Sequence, residues 1–238
     1  MIFKIADIFL QFIIYSFIGY FAEVIYCSYK QKKVVNRGFL FGPICPIYGV
    51  GSIAIVYCLK NFLDNPIMIL ILGMIITSAI EYYTSYIFEK IFHNKWWDYS
   101  NKPDNINGRI CLSNSIYFGI GTLIVMYFIN PVITNILGSL NDILALVISS
   151  VIMFIFIIDL IWSIIIAYNL KSRLIVAEEL KEAKIKLIPK LFEKRYHDQL
   201  ARIKFKSNRL IKNYPNLAKD LRKELNTVRK MVIDAKKK

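Results

Sequence analysis

At 238 residues, 56% hydrophobic and 20% charged, the chain is more apolar than soluble domains, which run at about 45–50% apolar residues. Its net charge of +14 is confined to one end: residues 1–170 carry ten Lys/Arg and nine Asp/Glu, residues 171–238 twenty-one and eight. That distribution excludes a secreted disulfide scaffold, an ordinary soluble enzyme and a disordered chain, and the basic balance is no nucleic-acid signature for the whole protein.

Five stretches in chain order are long enough to cross a bilayer, which takes about 20 mostly apolar residues. They run from about Ile5 to Tyr29, Phe41 to Leu59, Pro66 to Phe88, Ile110 to Ile129 and Ile143 to Tyr168. Runs of this length without strict alternation read as helices, because lipid leaves an open backbone unsatisfied. The second contains Pro43, Pro46, Gly42, Gly49 and Gly51, so its first turns are expected to be irregular. The first exceeds a signal-peptide core and lacks a small-residue cleavage site, so it is expected to be retained. The fold class is therefore all-α: an integral membrane bundle of about five helices over residues 1–170, followed by a basic cytoplasmic helical tail over 171–238.

Lys30, Lys32, Lys33 and Arg37 follow the first segment, Lys90, Lys95, Lys102 and Arg109 follow the third, and the tail follows the fifth. The opposite side has Lys4 and Lys60, and no basic residue between segments four and five. The positive-inside rule then puts the N-terminus outside and the long loops and C-terminus in the cytoplasm. Cys27, Cys45, Cys58 and Cys111 form no C-x-x-C pair, and His93 and His197 have no ligand-spaced neighbour. Neither a disulfide framework nor a metal or other cofactor is expected. No P-loop, G-x-S-x-G or H-E-x-x-H pattern occurs.

The two cytoplasmic loops feed similar sequences into the membrane. Asn36-Arg37-Gly38 precedes Tyr48-Gly49-Val50-Gly51, and Asn107-Gly108-Arg109 precedes Phe118-Gly119-Ile120-Gly121, with eleven residues from Gly38 to Gly49 and from Gly108 to Gly119. This predicts a parallel repeat of two helix pairs, with a fifth helix outside it. Gly49, Gly51, Gly119 and Gly121 are expected at close helix contacts.

Glu23, Glu81 and Asp159 lie within apolar segments, where each left in lipid would cost about 2.5–3.5 kcal/mol. All three fall in the cytoplasmic halves of their segments, which predicts one polar chamber with Arg37 and Arg109 at its mouth. Local hydrogen bonding to Tyr20, Tyr82, Ser78, Ser85 and Ser163 is the plainer alternative. Trp96-Trp97-Asp98-Tyr99 suits an interfacial aromatic belt, with Asp98 and Arg109 as further candidates for solute binding. In the tail, Leu170, Leu174, Ala177, Leu180, Ala183 and Leu187, then Tyr196, Leu200, Ile203 and Leu210, then Leu217, Leu221, Leu225, Val228 and Val232 give three amphipathic stripes separated by Pro189 and Pro215. Anionic lipid, a second copy or another protein are their expected partners; nucleic acid is disfavoured, because no recognition motif is visible.

Tyr15-Ser16-Phe17-Ile18-Gly19-Tyr20 with Glu23, the run NRGFLFGPICPIYGVG at 36–51 and the run WWDYS…NINGRICLSNSIYFGIG at 96–121 resemble the bacterial putative ABC-transporter type IV permease family. The resemblance covers roughly residues 11–168. It implies a polytopic permease subunit in the bacterial inner membrane and brings neither a substrate nor catalytic residues. The chain has fewer spans than the six usual for a half-transporter and no nucleotide-binding motif, so transport would depend on a separate ATPase. The alternatives are a membrane-embedded enzyme acting on a lipid headgroup and a non-catalytic scaffold, with catalysis the less favoured.

Overall fold

The computed structural model describes residues 2–32, 38–92 and 95–182; beyond residue 168 only the helical backbone is described. Arg37, His93, His197 and the two later tail stripes therefore lie outside the described residues. The elements are α1 (Ile2–Gln31), α2 (Pro46–Leu59) with a 3-10 turn (Lys60–Phe62), α3 (Pro66–Phe92), a two-stranded hairpin of β1 (Asn105–Ile106) and β2 (Ile110–Cys111), α4 (Leu112–Ile124), a π-helical stretch (Val125–Ile129), α5 (Asn130–Gly138) and α6 (Asp142–Glu182). Among the described residues, those up to 87 and from 97 to 161 form one compact unit, and those within 88–96 and 162–182 belong to a second. In the second, Phe88, Phe92 and Trp96 stack edge to face, with centroids 5.3–5.6 Å apart.

Four helical stretches are long and apolar enough to cross a membrane: Ile2–Tyr29, Pro66–Phe92, Leu112–Gly138 and Asp142–Tyr168. Their outward faces carry large apolar side chains: Ile25, Ile67, Phe128 and Phe154 are 67–71% exposed. A helix that is apolar outside as well as inside suits lipid, not water. The protein is an all-α, multi-pass membrane bundle.

Two segments differ from the sequence expectation. The second is a 14-residue helix starting at Pro46, because Pro43 and Pro46 supply no amide hydrogen and residues 38–45 stay irregular. The fourth starts at Leu112, since Ile110 and Cys111 pair in the hairpin, and it continues through Pro131 to Gly138. Proline lacks an N–H and crowds the carbonyl one turn earlier. The π stretch lies directly ahead of Pro131 and loosens the ladder where that clash would fall.

Two apolar clusters hold the bundle. One joins Leu10 and Tyr15 of α1 to Ile133 and Leu137 of α5 and Ala145 of α6; the other joins Ile55 and Leu59 of α2 to Ile69 of α3 and Met126 of the π stretch. Tyr15 donates to Asn130 Oδ1 at 2.8 Å, and Tyr127 donates to the Leu63 carbonyl at 2.6 Å.

α1 and α2 meet through small residues, and so do α3 and α4. A Cβ at Gly49 would fall onto Ser16 Oγ and within 2.7 Å of Phe12; one at Gly19 would fall onto the Tyr48 side chain. A Cβ at Gly119 would fall onto Met74 and 3.1 Å from Leu70; one at Gly73 would come within 2.6 Å of Thr122. Gly51 and Gly121 correct the expectation of close contact, since a Cβ at either meets nothing within 4 Å. Two positions along a helix is about 200° of rotation, so the second glycine of each Gly-x-Gly points away from the first.

Candidate functional site: two glutamates at the end of an apolar cavity

Glu23 sits on α1 one turn beyond Gly19. Its Oε2 accepts the Tyr48 hydroxyl at 2.5 Å and its Oε1 the Cys27 thiol at 3.3 Å. Glu81 sits on α3, one turn beyond Thr77, and is 5% exposed. Its Oε1 accepts the Tyr99 hydroxyl at 3.1 Å. Its Oε2 is buried with no hydrogen-bond partner among the described residues, and so is Ser85 Oγ, one turn further along α3. A buried polar atom left unpaired costs about 1–3 kcal/mol, more where it carries charge.

Tyr99 bonds one acid and lies within electrostatic reach of the other. Burial first, then the charge and hydrogen bond of Glu81, then the charge of Glu23, hold its phenol well above its ordinary value of 10.0. One phenol thus senses both carboxylates. The loop that places Tyr99 is built by its own backbone. Asn107 and Gly108 take φ of 55° and 69°, the left-handed pair at the centre of the turn that Arg109 N–H closes onto Ile106 O at 3.0 Å. Around them, Tyr99 N–H donates to Gly108 O at 2.8 Å, Trp97 Nε1 to Arg109 O at 2.9 Å and Gly108 N–H to Asn105 Oδ1 at 2.9 Å.

The other sequence-derived candidates serve different ends. Asp159 accepts the backbone amides of Phe41 and Gly42 at 2.8 and 2.7 Å, tying the irregular segment before α2 to α6. Asp98 Oδ1 accepts Ser100 N–H and Oγ at 3.0 and 2.6 Å, closing a local turn on an exposed side chain. The Arg109 guanidinium lies over the rings of Tyr82 and Tyr86 at 5.4 and 5.5 Å. Among the described residues, Glu23 and Glu81 are the acids bonded to tyrosines.

Beside this pair, between α1, α2, α3 and α4, is a cavity of about 260 Å³. Ile18, Gly19, Tyr48, Ile55, Thr77 and Gly121 are among its lining residues. Three hydroxyls on its walls are already committed: Thr77 to Gly73 O at 2.6 Å, Thr122 to Phe118 O at 2.9 Å, Tyr15 to Asn130; Ser52 adds one more to an otherwise largely apolar lining. What the wall offers is an apolar surface.

A protein-family model described as Putative ABC-transporter type IV matches residues 10–164. The chain belongs to that family. The match contains α1 from Leu10 onward, α2 to α5, most of the membrane part of α6, and every residue of the glutamate pair and the cavity. No curated protein and no solved structure matches the chain. Within this type IV member, sequence reasoning missed Tyr48 and Tyr99 as the tyrosines bonded to the acids. Tyr48 lies inside the aromatic-Gly-x-Gly motif, where its ring suggested packing alone. Asn107-Gly108 was the readable signal for the hairpin that carries Tyr99 into place.

Proposed function

We propose that the chain is the membrane-spanning, permease-like subunit of a transporter in the bacterial inner membrane, handling a small lipid-like solute and driven by a separate ATP-binding subunit. The observation that carries this reading is the apolar cavity between the two helix pairs. A concave, mostly apolar pocket with few polar groups at one end is the usual form of a small-molecule site.

A second support is the register of the helix contacts. The same offset along the chain carries Phe12 onto Leu70, Ser16 onto Met74 and Glu23 onto Glu81, while Gly49 moves onto Gly119. We read α1–α2 and α3–α4 as two copies of one hairpin, with the cavity between copies and one acid from each. Solute sites at the interface of internal repeats are a recurring transporter design.

The Lys/Arg balance favours an outside N-terminus, with both inter-helix loops and the basic tail on the cytoplasmic side. α2 then has to cross; its 14 residues and the three of the 3-10 turn give about 27 Å against about 30 Å of hydrocarbon. The tail's net +13 suits anionic inner-leaflet lipid.

The test is mass spectrometry of the full chain extracted in native lipid, identifying bound solute and any ATP-binding subunit. Gly121→Leu fills the cavity from a position where added atoms meet no wall. A lipid-like species retained by the wild type and lost from this variant is the expected result. Retention by both, or its absence from both, overturns the cavity as the solute site.

A further inference from the structure

We infer that the solute is an amphipathic primary amine, its apolar body in the cavity and its ammonium group between Glu23 and Glu81. This rests on the cavity reading of the preceding section and adds the chemistry of the solute's head.

The wall and the end of the cavity make opposite demands. Along the wall, Thr77, Thr122 and Tyr15 spend their hydroxyls on protein acceptors and Ser52 is one further hydroxyl among mostly apolar groups, so a polar body would find little to bond and lose its hydration. At the end, Gly19 and Thr77 line the cavity, and Glu23 and Glu81 follow each by four residues, about 6 Å further along their helices. Tyr48 spans both zones, with its ring on the wall and its hydroxyl on Glu23.

Two acceptors at this end lack a donor among the described residues. Glu81 Oε2 and Ser85 Oγ are both buried and without a hydrogen-bond partner among the described residues, on residues 5% and 3% exposed. Ser85 can accept as well as donate. An ammonium group brings one positive charge and three N–H donors. It could give one to Glu81 Oε2, one to Ser85 Oγ and one toward Glu23. Charge-assisted bonds of this kind are roughly twice as strong as neutral ones. A quaternary ammonium has the charge and no donor, an alcohol has one donor and no charge, and an anion is repelled by both carboxylates. The primary amine is the one that meets every demand.

The experiment uses the full chain in neutral phosphatidylcholine nanodiscs and three probes of equal chain length: decylamine, decyltrimethylammonium and decanol. Binding to empty nanodiscs is subtracted. The wild type should bind decylamine about tenfold tighter than the other two, as expected for hydrogen bonds to a charged group. Glu81→Gln should bring decylamine down to the decanol level, with Glu23→Gln as an independent second variant. Gly121→Leu should remove binding of all three. Decanol binding as tightly as decylamine, or an unchanged ratio in both glutamine variants, overturns the amine and leaves the cavity standing. Decyltrimethylammonium matching decylamine overturns the N–H donation and hence the primary amine. If none of the three binds the wild type, the apolar cavity reading falls with it. The wild-type probe series decides the matter even where a variant does not fold.

Discussion

The α1–α2 and α3–α4 pairs bury one kind of contact and tie their connecting segments in different ways. In each pair a glycine on one helix lets the partner approach, and a glutamate follows toward the loop. The segment before α2 is held from outside itself, by Asp159 on a distant helix. The segment before α4 adds a hairpin, an Asx turn and an indole bonded to its own loop to its bonds with Glu81 and Tyr82 of α3. Similar helix pairs can thus carry loops of different autonomy, and the loop that folds on itself is the one that delivers Tyr99 to an acid.

The largest effect is expected where the pairs are alike. Gly49→Val and Gly119→Val each force atoms into an occupied interface and should destabilise by about 1–3 kcal/mol, with reduced yield. A thermal melt in detergent checks this; a loss at one site only would break the likeness of the pairs. Next comes a change that touches the first pair alone. Asp159→Ala strands two backbone amides, and should cost about 1–3 kcal/mol and speed amide exchange at Phe41 and Gly42 while leaving Tyr99 protected. Equal exchange in both loops would contradict the autonomy drawn above.

The second pair has its own test in alkali. Below pH 10 the Tyr99 phenol is protonated whether the chain is folded or not. Above it the unfolded chain releases that proton and the folded one, with its phenol held high, does not. Stability should therefore be full below pH 10 and fall as pH rises beyond it. Tyr99→Phe should flatten this alkaline decline, as read by denaturation at stepped pH. The smallest effect belongs to Gly51→Ala. With nothing within 4 Å of the added methyl, and helix propensity in its favour by about 0.5–1 kcal/mol, it should be neutral or slightly stabilising, in contrast to Gly49→Val two residues away.

The long apolar helices were legible because lipid exposure demands uninterrupted hydrophobic runs, and those runs stand in the sequence unaided. The acids were legible for the same reason, as exceptions to it. What hydropathy does not report is phase. Gly49 and Gly51 look equivalent on a line and lie on opposite sides of a helix. Asp159 looked like Glu23 and Glu81 by depth, yet its partners are backbone amides of residues 41 and 42, which no sequence spacing connects to it. Hydropathy ends the fourth run at about Ile129, yet the widened turn before Pro131 lets the helix continue to Gly138. Residues 38–45 were readable as irregular from their prolines, though not the point at which regular helix resumes.

That widened turn acts as a gear with one extra tooth. Val125–Ile129 carries a residue beyond what an α-helix would use for the same turn, which rotates everything after it by about 100°. Asn130 meets Tyr15, and Ile133 and Leu137 meet Leu10 and Ala145, only in that rotated setting. Inserting one more residue after the stretch would leave a helix just as greasy and just as able to enter the bilayer. Its last turns would then offer the Leu10 cluster the face that now looks outward, where Val132 and Ile136 sit half-exposed. Such an insertion should be invisible to the machinery that inserts the chain and evident only when its helices try to find one another.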